Sequence, residues 1–298
     1  MEINILIFLF SLVFSNTFRF GTCFSYNTNN VNFRNIDNKN QCLISTKDNS
    51  IYCNKEVETY LNNNNVLSDK KLITISPGGF KGFYILGILT YVKENYDMND
   101  YIYSGASAGA WNSLFMCYKG EALNFVYNLL DYNIKKTRSI TELQYYMKYK
   151  ILSKFKDDDF ELEKIFIGVT TFKYLKPVTN IFSNFSDLDD AINCCMASSH
   201  IPFITGGITN RYNNIYAFDG GFSSYPYLST KKSVVHVSPS MWLNLNDEKN
   251  NVKPFKKYSD FFSLSKNNLL ELFDNGYQDA KQHKEYLDSI FVNNTNSN

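Results

Sequence analysis

Polar and apolar positions divide the chain into two unequal parts. Beyond its first residues, the sequence up to Asn65 is polar, rich in asparagine and weakly patterned, as loop segments are. From Lys71 onward, short apolar runs alternate with longer ones. Residues 72–76 are short, apolar and partly β-branched, which predicts a buried strand. Pro77-Gly78-Gly79 breaks that run. Residues 83–92 have helical length and are apolar nearly all round, so they predict a deeply packed helix. Tyr101-Ile102-Tyr103 predicts a second strand, and residues 110–116 a second helix. Residues 120–135 read as an amphipathic helix with Leu123, Phe125, Val126, Leu129 and Leu130 on its apolar face. A further helix is expected over 141–155, where the aromatic stripe Tyr145, Tyr146 and Tyr149 is read as packing. Residues 165–171 predict another buried strand. Ser186-Asp187-Leu188-Asp189 resembles a capping box, with Asp in place of Glu or Gln, and opens a helix that stops before Pro202. A β-rich run at 214–218 ends in Asp219-Gly220-Gly221. Residues 234–237 predict an edge or outer strand. Residues 261–287 carry helical periodicity, with Leu269, Leu270, Leu272 and Phe273 as a stripe packed on the rest of the molecule. Strands alternating with helices predict an α/β fold: a three-layer α/β/α sandwich around a central, mainly parallel sheet.

The ends of the chain read differently. Residues 3–14 are apolar except for Asn4 and Ser11. That run is shorter than the roughly 20 residues a spanning helix needs, and it fits the apolar stretch of a signal peptide, with Cys23-Phe24-Ser25 at the cleavage spacing. Glu2 and Arg19 depart from the usual charge pattern. The expected organisation is a signal peptide over 1–25, an Asn-rich arm over 26–70, a folded core over 71–230, and a strand and helical extension of the same domain over 231–298. A leader of this kind implies secretion or an endomembrane lumen, with membrane association left open. There, Cys42 and Cys53 can pair across a short polar loop, and the sequons at Asn184 and Asn293 become usable. Cys117, Cys194 and Cys195 fall in apolar stretches and read as core. With 298 residues and 44% hydrophobic content the chain can bury a sizeable core, and a net charge of +1 gives no electrostatic case for nucleic-acid binding.

Three glycine-bearing turns carry the candidate chemistry. Gly105-Ala106-Ser107-Ala108-Gly109 is a G-x-S-x-G between a predicted strand and a predicted helix. In that context the serine is exposed at a sharp turn, and the helix N-terminus favours negative charge near its oxygen. One β-α unit earlier, the amides of Gly78, Gly79 and Phe80 can converge on one space and hold an oxyanion. The same turn can instead bind a phosphate, although neither common phosphate-loop pattern is present. Asp219 ends a β-run and is followed by glycines, so its carboxylate can project into a site; Asp-Gly is equally a turn signature. Lys156-Asp157-Asp158-Asp159 reads as a solvated turn with no metal-ligand role, and no cysteine spacing resembles a zinc site.

In chain order, these residues resemble the patatin-like phospholipase family. Pro77-Gly78-Gly79-Phe80-Lys81-Gly82 stands where the family has G-G-G-x-[RK]-G. Gly105 to Gly109 match its nucleophile motif, and Asp219-Gly220-Gly221 its aspartate motif. Ala197-Ser198-Ser199-His200-Ile201-Pro202-Phe203 is similar to its A-S-x-x-[IF]-P block, and Phe222 to Pro226 to the stretch after the aspartate. The resemblance covers about residues 71–227. It departs at Pro77, which has no N–H to donate, and at Tyr225. It implies a patatin-like α/β/α fold and a lipid acyl hydrolase with a Ser107–Asp219 dyad, an oxyanion hole of the Gly78, Gly79 and Phe80 amides, no metal or other cofactor, and a lipid or membrane-surface substrate. Lys81 meets a lipid phosphate or the carbonyl ends of the sheet, or is solvated or structurally paired.

Two other readings stand beside it. An α/β-hydrolase uses Ser, Asp and His in that order, and His236 and His283 both follow Asp219; His236 lies in a strand-like run and His283 in a charged, helix-like tail. A non-catalytic lipid-binding protein is the second, with an acyl slot lined by Phe83, Phe115 and Phe203.

Overall fold

A computed structural model describes residues 45–46, 49–50, 67, 69–173, 176–208, 210–223, 225–230, 232–242 and 268–292. The expected leader, the Cys42–Cys53 pairing and the Asn293 sequon lie outside the described residues. Of the arm, a two-residue antiparallel ladder pairs Ser45–Thr46 with Asn49–Ser50.

The first strand–turn–helix unit is β1 (Lys71–Ile75), a 3-10 turn (Gly79–Lys81) and α1 (Gly82–Asn95). The second is β2 (Tyr101–Ala106) and α2 (Ala108–Cys117). Helices α3 (Ala122–Leu129) and α4 (Ile140–Lys154) follow, then β3 (Ile165–Lys173), the hairpin partner β4 (Lys176–Phe182) and α5 (Leu188–Ser198). A small hairpin, β5 (Asn210–Tyr212) and β6 (Ile215–Ala217), precedes β7 (Ser233–Val237). Helices α6 (Leu269–Gln282) and α7 (Lys284–Phe291) close the described chain. The central sheet has the order β4-β3-β2-β1-β7, parallel throughout except for β4. This is the expected mainly parallel sheet flanked by helices, and β7 lies at its edge as its pattern predicts.

Because side chains alternate across a strand, the inner strands β1, β2 and β3 each serve two clusters. Ile73, Ile75, Tyr103, Ile165, Ile167 and Val237 join the main core with the helices. Leu72, Ile102, Phe166 and Ile181 face the other way, where Leu67 and Leu228 cover them. Leu228 N donates to Ser104 Oγ at 2.9 Å, which ties the stretch after Asp219 under that second face.

Helix α6 lies directly on α1. A Cβ at Gly87 would come within 2.0 Å of the Phe273 carbonyl oxygen, and one at Gly276 within 1.9 Å of the Tyr84 carbonyl oxygen. Backbones in such close approach leave no room for any other residue. The tail therefore packs on the core, as its stripe predicts, with Leu269 and Phe273 buried.

Several local expectations are corrected. The helix expected over 120–135 stops at Leu129, and a 3-10 turn (Tyr132–Lys136) follows. The capping residue of α5 is Asp187, whose side chain accepts from Asp190 N at 2.8 Å, so Ser186 lies one position outside the helix. Tyr145 and Tyr149 are not packed: they are 61% and 68% exposed, and of the stripe only Tyr146 is partly buried. The Asp157–Asp159 turn is solvated as expected, with Asp157 and Asp158 exposed, and it has a structural contact besides: Asp157 Oδ1 accepts from Leu188 N at the start of α5. Among the described residues no group of three His, Cys, Asp or Glu side chains is arranged to hold a metal ion. No helix among them is long and apolar enough to cross a membrane.

Candidate active site

Parallel sheets present their functional groups at the carboxyl ends of the strands, where helices begin and backbone amides point outward. Here β1 and β2 end side by side. Ser107 follows Ala106 directly and has φ 53°, outside the range a serine normally adopts. Backbone strain of this kind costs of order 1–3 kcal/mol and has to be held by its surroundings. Ser107 N donates to Ser198 Oγ at 2.8 Å, and Ser198 Oγ donates to Gly168 O at 2.6 Å on β3. Gly105 and Gly109 supply the space: added Cβ atoms would approach the Gly109 and Ile75 carbonyl oxygens to 2.1 Å.

Asp219 reaches the same point along the edge of β3 that β2 occupies, just beyond the end of β2. Phe218 exchanges two backbone hydrogen bonds with Thr170, of 2.8 and 3.1 Å, and so brings the next residue to the strand end. Asp219 N donates to His200 O at 2.7 Å, and Asp219 Oδ1 accepts from Gly221 N at 2.7 Å. Gly220 presses against Ala106, where a Cβ would come within 2.5 Å of the Ala106 Cβ. With these constraints, Asp219 Oδ2 accepts a hydrogen bond of 2.6 Å from Ser107 Oγ. The structure thus brings together residues 112 positions apart.

Burial pushes the Asp219 carboxyl above the usual range, to about 6, against the lowering effect of its bonds to Ser107 and the Gly221 amide. Such a group is ionised at neutral pH and basic enough to take a hydroxyl proton as the oxygen attacks.

Ser107 and Asp219 line one end of a cavity whose empty space, open mouth included, is about 770 Å³. Much of its lining is apolar: Phe83, Leu86, Phe115, Phe125, Leu129 and Met147. Phe203, expected in an acyl slot with Phe83 and Phe115, is instead 65% exposed and outside the lining. It lies in a tight turn with φ 65°, which carries its side chain outward.

Of the three expected oxyanion donors, Gly79 and Phe80 line the cavity and Gly78 does not. Gly79 has φ 52°, and the first hydrogen bond of the turn runs from Lys81 N to Gly78 O at 3.0 Å. The Gly79 and Phe80 amides precede that bond, so no carbonyl of the turn can accept from them. Lys81 is partly buried and outside the lining, and burial lowers its ammonium pKa. Gly82 joins the lining where α1 meets α2, Gly221 lies against Pro77, and both serve the backbone geometry.

None of the three histidine rings hydrogen-bonds Ser107 or Asp219. His236 shares a 2.9 Å bond with Thr74 Oγ1 on the edge of the sheet, and burial lowers its pKa to about 4. His283 stacks on Trp242 with ring centroids 4.3 Å apart. His200 approaches Asp219 only through its carbonyl oxygen.

The model of the patatin-like phospholipase family matches residues 73–229, just over half of the 298-residue chain. The chain belongs to the patatin-like phospholipase family. Family membership makes it a lipid hydrolase or esterase in general terms and implies lipid substrates. Among curated proteins, none matches the sequence. The matched segment contains the glycine turn, Ser107 and Asp219, and it ends just before β7 and the two C-terminal helices.

Sequence reasoning quoted Ser198 and Ser199 as part of a family block and assigned them no task. Ser198 holds the Ser107 backbone. Ser199 Oγ accepts from Trp111 Nε1 at 3.1 Å and from Gln144 Nε2 at 2.9 Å, joining α2 and α4 to the site. Two serines at the C-terminal end of a buried helix, ahead of a proline, were the available signal.

Proposed function

We propose that this patatin-like protein hydrolyses fatty-acyl esters of phospholipids or related lipids through an acyl-serine intermediate, with Ser107 and Asp219 as a dyad. The observation that carries this reading is the 2.6 Å hydrogen bond from Ser107 Oγ to Asp219 Oδ2 at the polar end of an apolar cavity. As the hydroxyl oxygen attacks the ester carbonyl carbon, its proton passes to Asp219. The oxyanion faces the amides of Gly79 and Phe80, which are free to donate. Collapse breaks the ester C–O bond, and the departing alkoxide takes the proton back from Asp219. A water then gives its proton to Asp219 and attacks the acyl-serine. The second collapse releases the fatty acid and restores Ser107. The apolar wall suits the acyl chain, since burying each CH₂ stabilises the complex by about 0.8 kcal/mol.

The test is a panel of phospholipids, lysophospholipids and neutral glycerides assayed with wild type, Ser107→Ala and Asp219→Asn. Release of fatty acid from at least one lipid by wild type alone is the expected result. Equal turnover by all three proteins would defeat the dyad. Failure of a fluorophosphonate to label Ser107 in folded protein that still binds lipid would favour a non-catalytic binding role.

A further inference from the structure

Helix α4 is apolar on two opposite faces. Leu143, Met147 and Ile151 look inward and line the cavity. Tyr145, Tyr149 and Leu152, spaced i, i+4 and i+7 on the far side, are 61%, 68% and 39% exposed. Among the described residues nothing covers them. An aromatic and aliphatic stripe of this kind, turned to solvent, suits a boundary between water and lipid, where tyrosine keeps its hydroxyl wet and its ring buried.

The charge around the stripe is one-sided. Residues 132–156 hold seven lysines and arginines against the single acid Glu142, in a chain whose net charge is +1. Lys148 and Lys150 are paired with Asp189 and Asp131. Lys136 and Arg138, just ahead of the helix, are exposed and have no ion-pair partner among the described residues; Lys154, three residues after Ile151, leaves the helix on its inward side and takes no part. Of the three aspartates that follow, Asp157 and Asp159 are occupied with backbone amides. The first turn of α4 also meets a second exposed apolar group. Thr141 Oγ1 donates to Ile204 O at 3.5 Å, and Phe203 and Ile204 protrude from the turn between the lining residues Ile201 and Thr205.

From these observations we infer that the outer face of α4, with the Phe203–Ile204 turn, docks the protein on an anionic phospholipid surface. The inference rests on the lipid-hydrolase reading and names the interface at which that site works. Tyr145, Tyr149 and Leu152 enter the headgroup region, and Lys136 and Arg138 meet the negative headgroups. The same helix then separates membrane from cavity, so a lipid lifted past the Phe203–Ile204 turn has a short path to Ser107.

The experiment uses full-length Ser107→Ala protein, which leaves the vesicles intact. It is sedimented with phosphatidylcholine vesicles that contain or lack phosphatidylserine. Binding should be at least about tenfold tighter with phosphatidylserine, since each basic residue near an anionic surface contributes about fivefold. A Lys136→Glu/Arg138→Glu variant should lose that gain, and Tyr145→Ser/Tyr149→Ser should weaken binding to both vesicles. Should the charge variant fail to fold, raising the salt from about 0.05 to about 0.5 M should detach the parent protein by screening the same charges. Indifference to phosphatidylserine, or retention of its effect by the charge variant or in high salt, overturns the inference. Turnover of a soluble short-chain ester by the wild-type background is measured separately and should be unchanged by these surface substitutions. If that turnover is absent while vesicle binding behaves as stated, the hydrolase reading fails and the docking face stands.

Discussion

Two buried aspartates in this molecule accept hydroxyl hydrogen bonds of the same length: Ser107 donates to Asp219 at 2.6 Å, and Tyr84 donates to Asp279 at 2.6 Å. Everything around the two bonds differs. Asp219 borders the cavity, and its donor is a small hydroxyl on a strained backbone at the start of a helix. Asp279 is fully buried where α6 crosses α1, and its donor is a phenol in the first turn of α1. Burial, with Asp279 second, pushes the Tyr84 phenol far above its usual value, so the proton stays in place. His283 Nδ1 closes over the Asp279 carbonyl at 2.7 Å and stacks on Trp242. A short hydroxyl–carboxylate bond therefore does not make a reactive site by itself. Access for a substrate and a strained, basic environment distinguish one pair; close packing turns the other into a clamp for the C-terminal helix.

The largest effect separates the two pairs by activity. Ser107→Ala and Asp219→Asn should each lower ester turnover by at least about 10³-fold, whereas Tyr84→Phe should leave it within about threefold. Fatty-acid release measures this, and near-normal turnover by Asp219→Asn would erase the distinction. The second effect concerns stability. Tyr84→Phe leaves the Asp279 carboxylate buried without its hydroxyl, which should cost about 3 kcal/mol in a urea titration. An unchanged midpoint would remove the clamp.

The third effect has the opposite sign. Because the folded protein raises the Asp219 pKa to about 6, it holds that proton more tightly than the unfolded chain does. This group's contribution to stability is therefore greatest below about pH 4 and declines as pH rises through about 6. Two pKa units correspond to about 3 kcal/mol, less what an amide loses as an acceptor. Asp219→Asn should thus be about 2 kcal/mol more stable than wild type at pH 7.5, with the gain gone at pH 4. The same carboxyl should set the rising limb of kcat/KM near pH 6, and that limb should persist in His283→Ala. The smallest effect tests the support of the serine turn. Ser198→Ala removes the acceptor of the Ser107 amide and should lower kcat by about tenfold with little change in KM; Ser198→Thr should restore most of it. A purely structural role would instead lower the melting temperature and leave kcat intact.

The three glycine turns were legible because their residue types stand at the ends of predicted strands, although what makes most of these glycines necessary is contact with distant residues. Gly105 and Gly109 are required by carbonyl oxygens that stand where a Cβ would be, and Gly220 by the Ala106 side chain. Strand and helix types followed from period and length, and the burial of Leu72, Ile73 and Ile75 bears this out. Other features had no local signal. Tyr145 and Tyr149 look like core residues in a one-dimensional pattern, because apolar spacing does not say which side of a helix has a neighbour. Phe203 was expected inside and stands outside because a positive φ turns the chain between Ile201 and Thr205. Gly78 was grouped with Gly79 and Phe80, yet a single residue of turn geometry separates it from the cavity.

By itself, the chain's order of residues determined the alternation of strands and helices, the mainly parallel sheet, and the identity of Ser107 and Asp219 as residues on which chemistry can be built. Local sterics and hydrophobic period are properties of neighbours in sequence, so they can be read there. Only the tertiary structure decided that Ser107 meets Asp219 rather than a histidine, that Ser198 carries the serine turn, and that Tyr84 clamps Asp279. It also decided which faces of α4 look inward and outward. Those outcomes depend on how far apart in space residues 91, 112 and 195 positions apart in the chain come to lie, and packing of the whole core sets that distance.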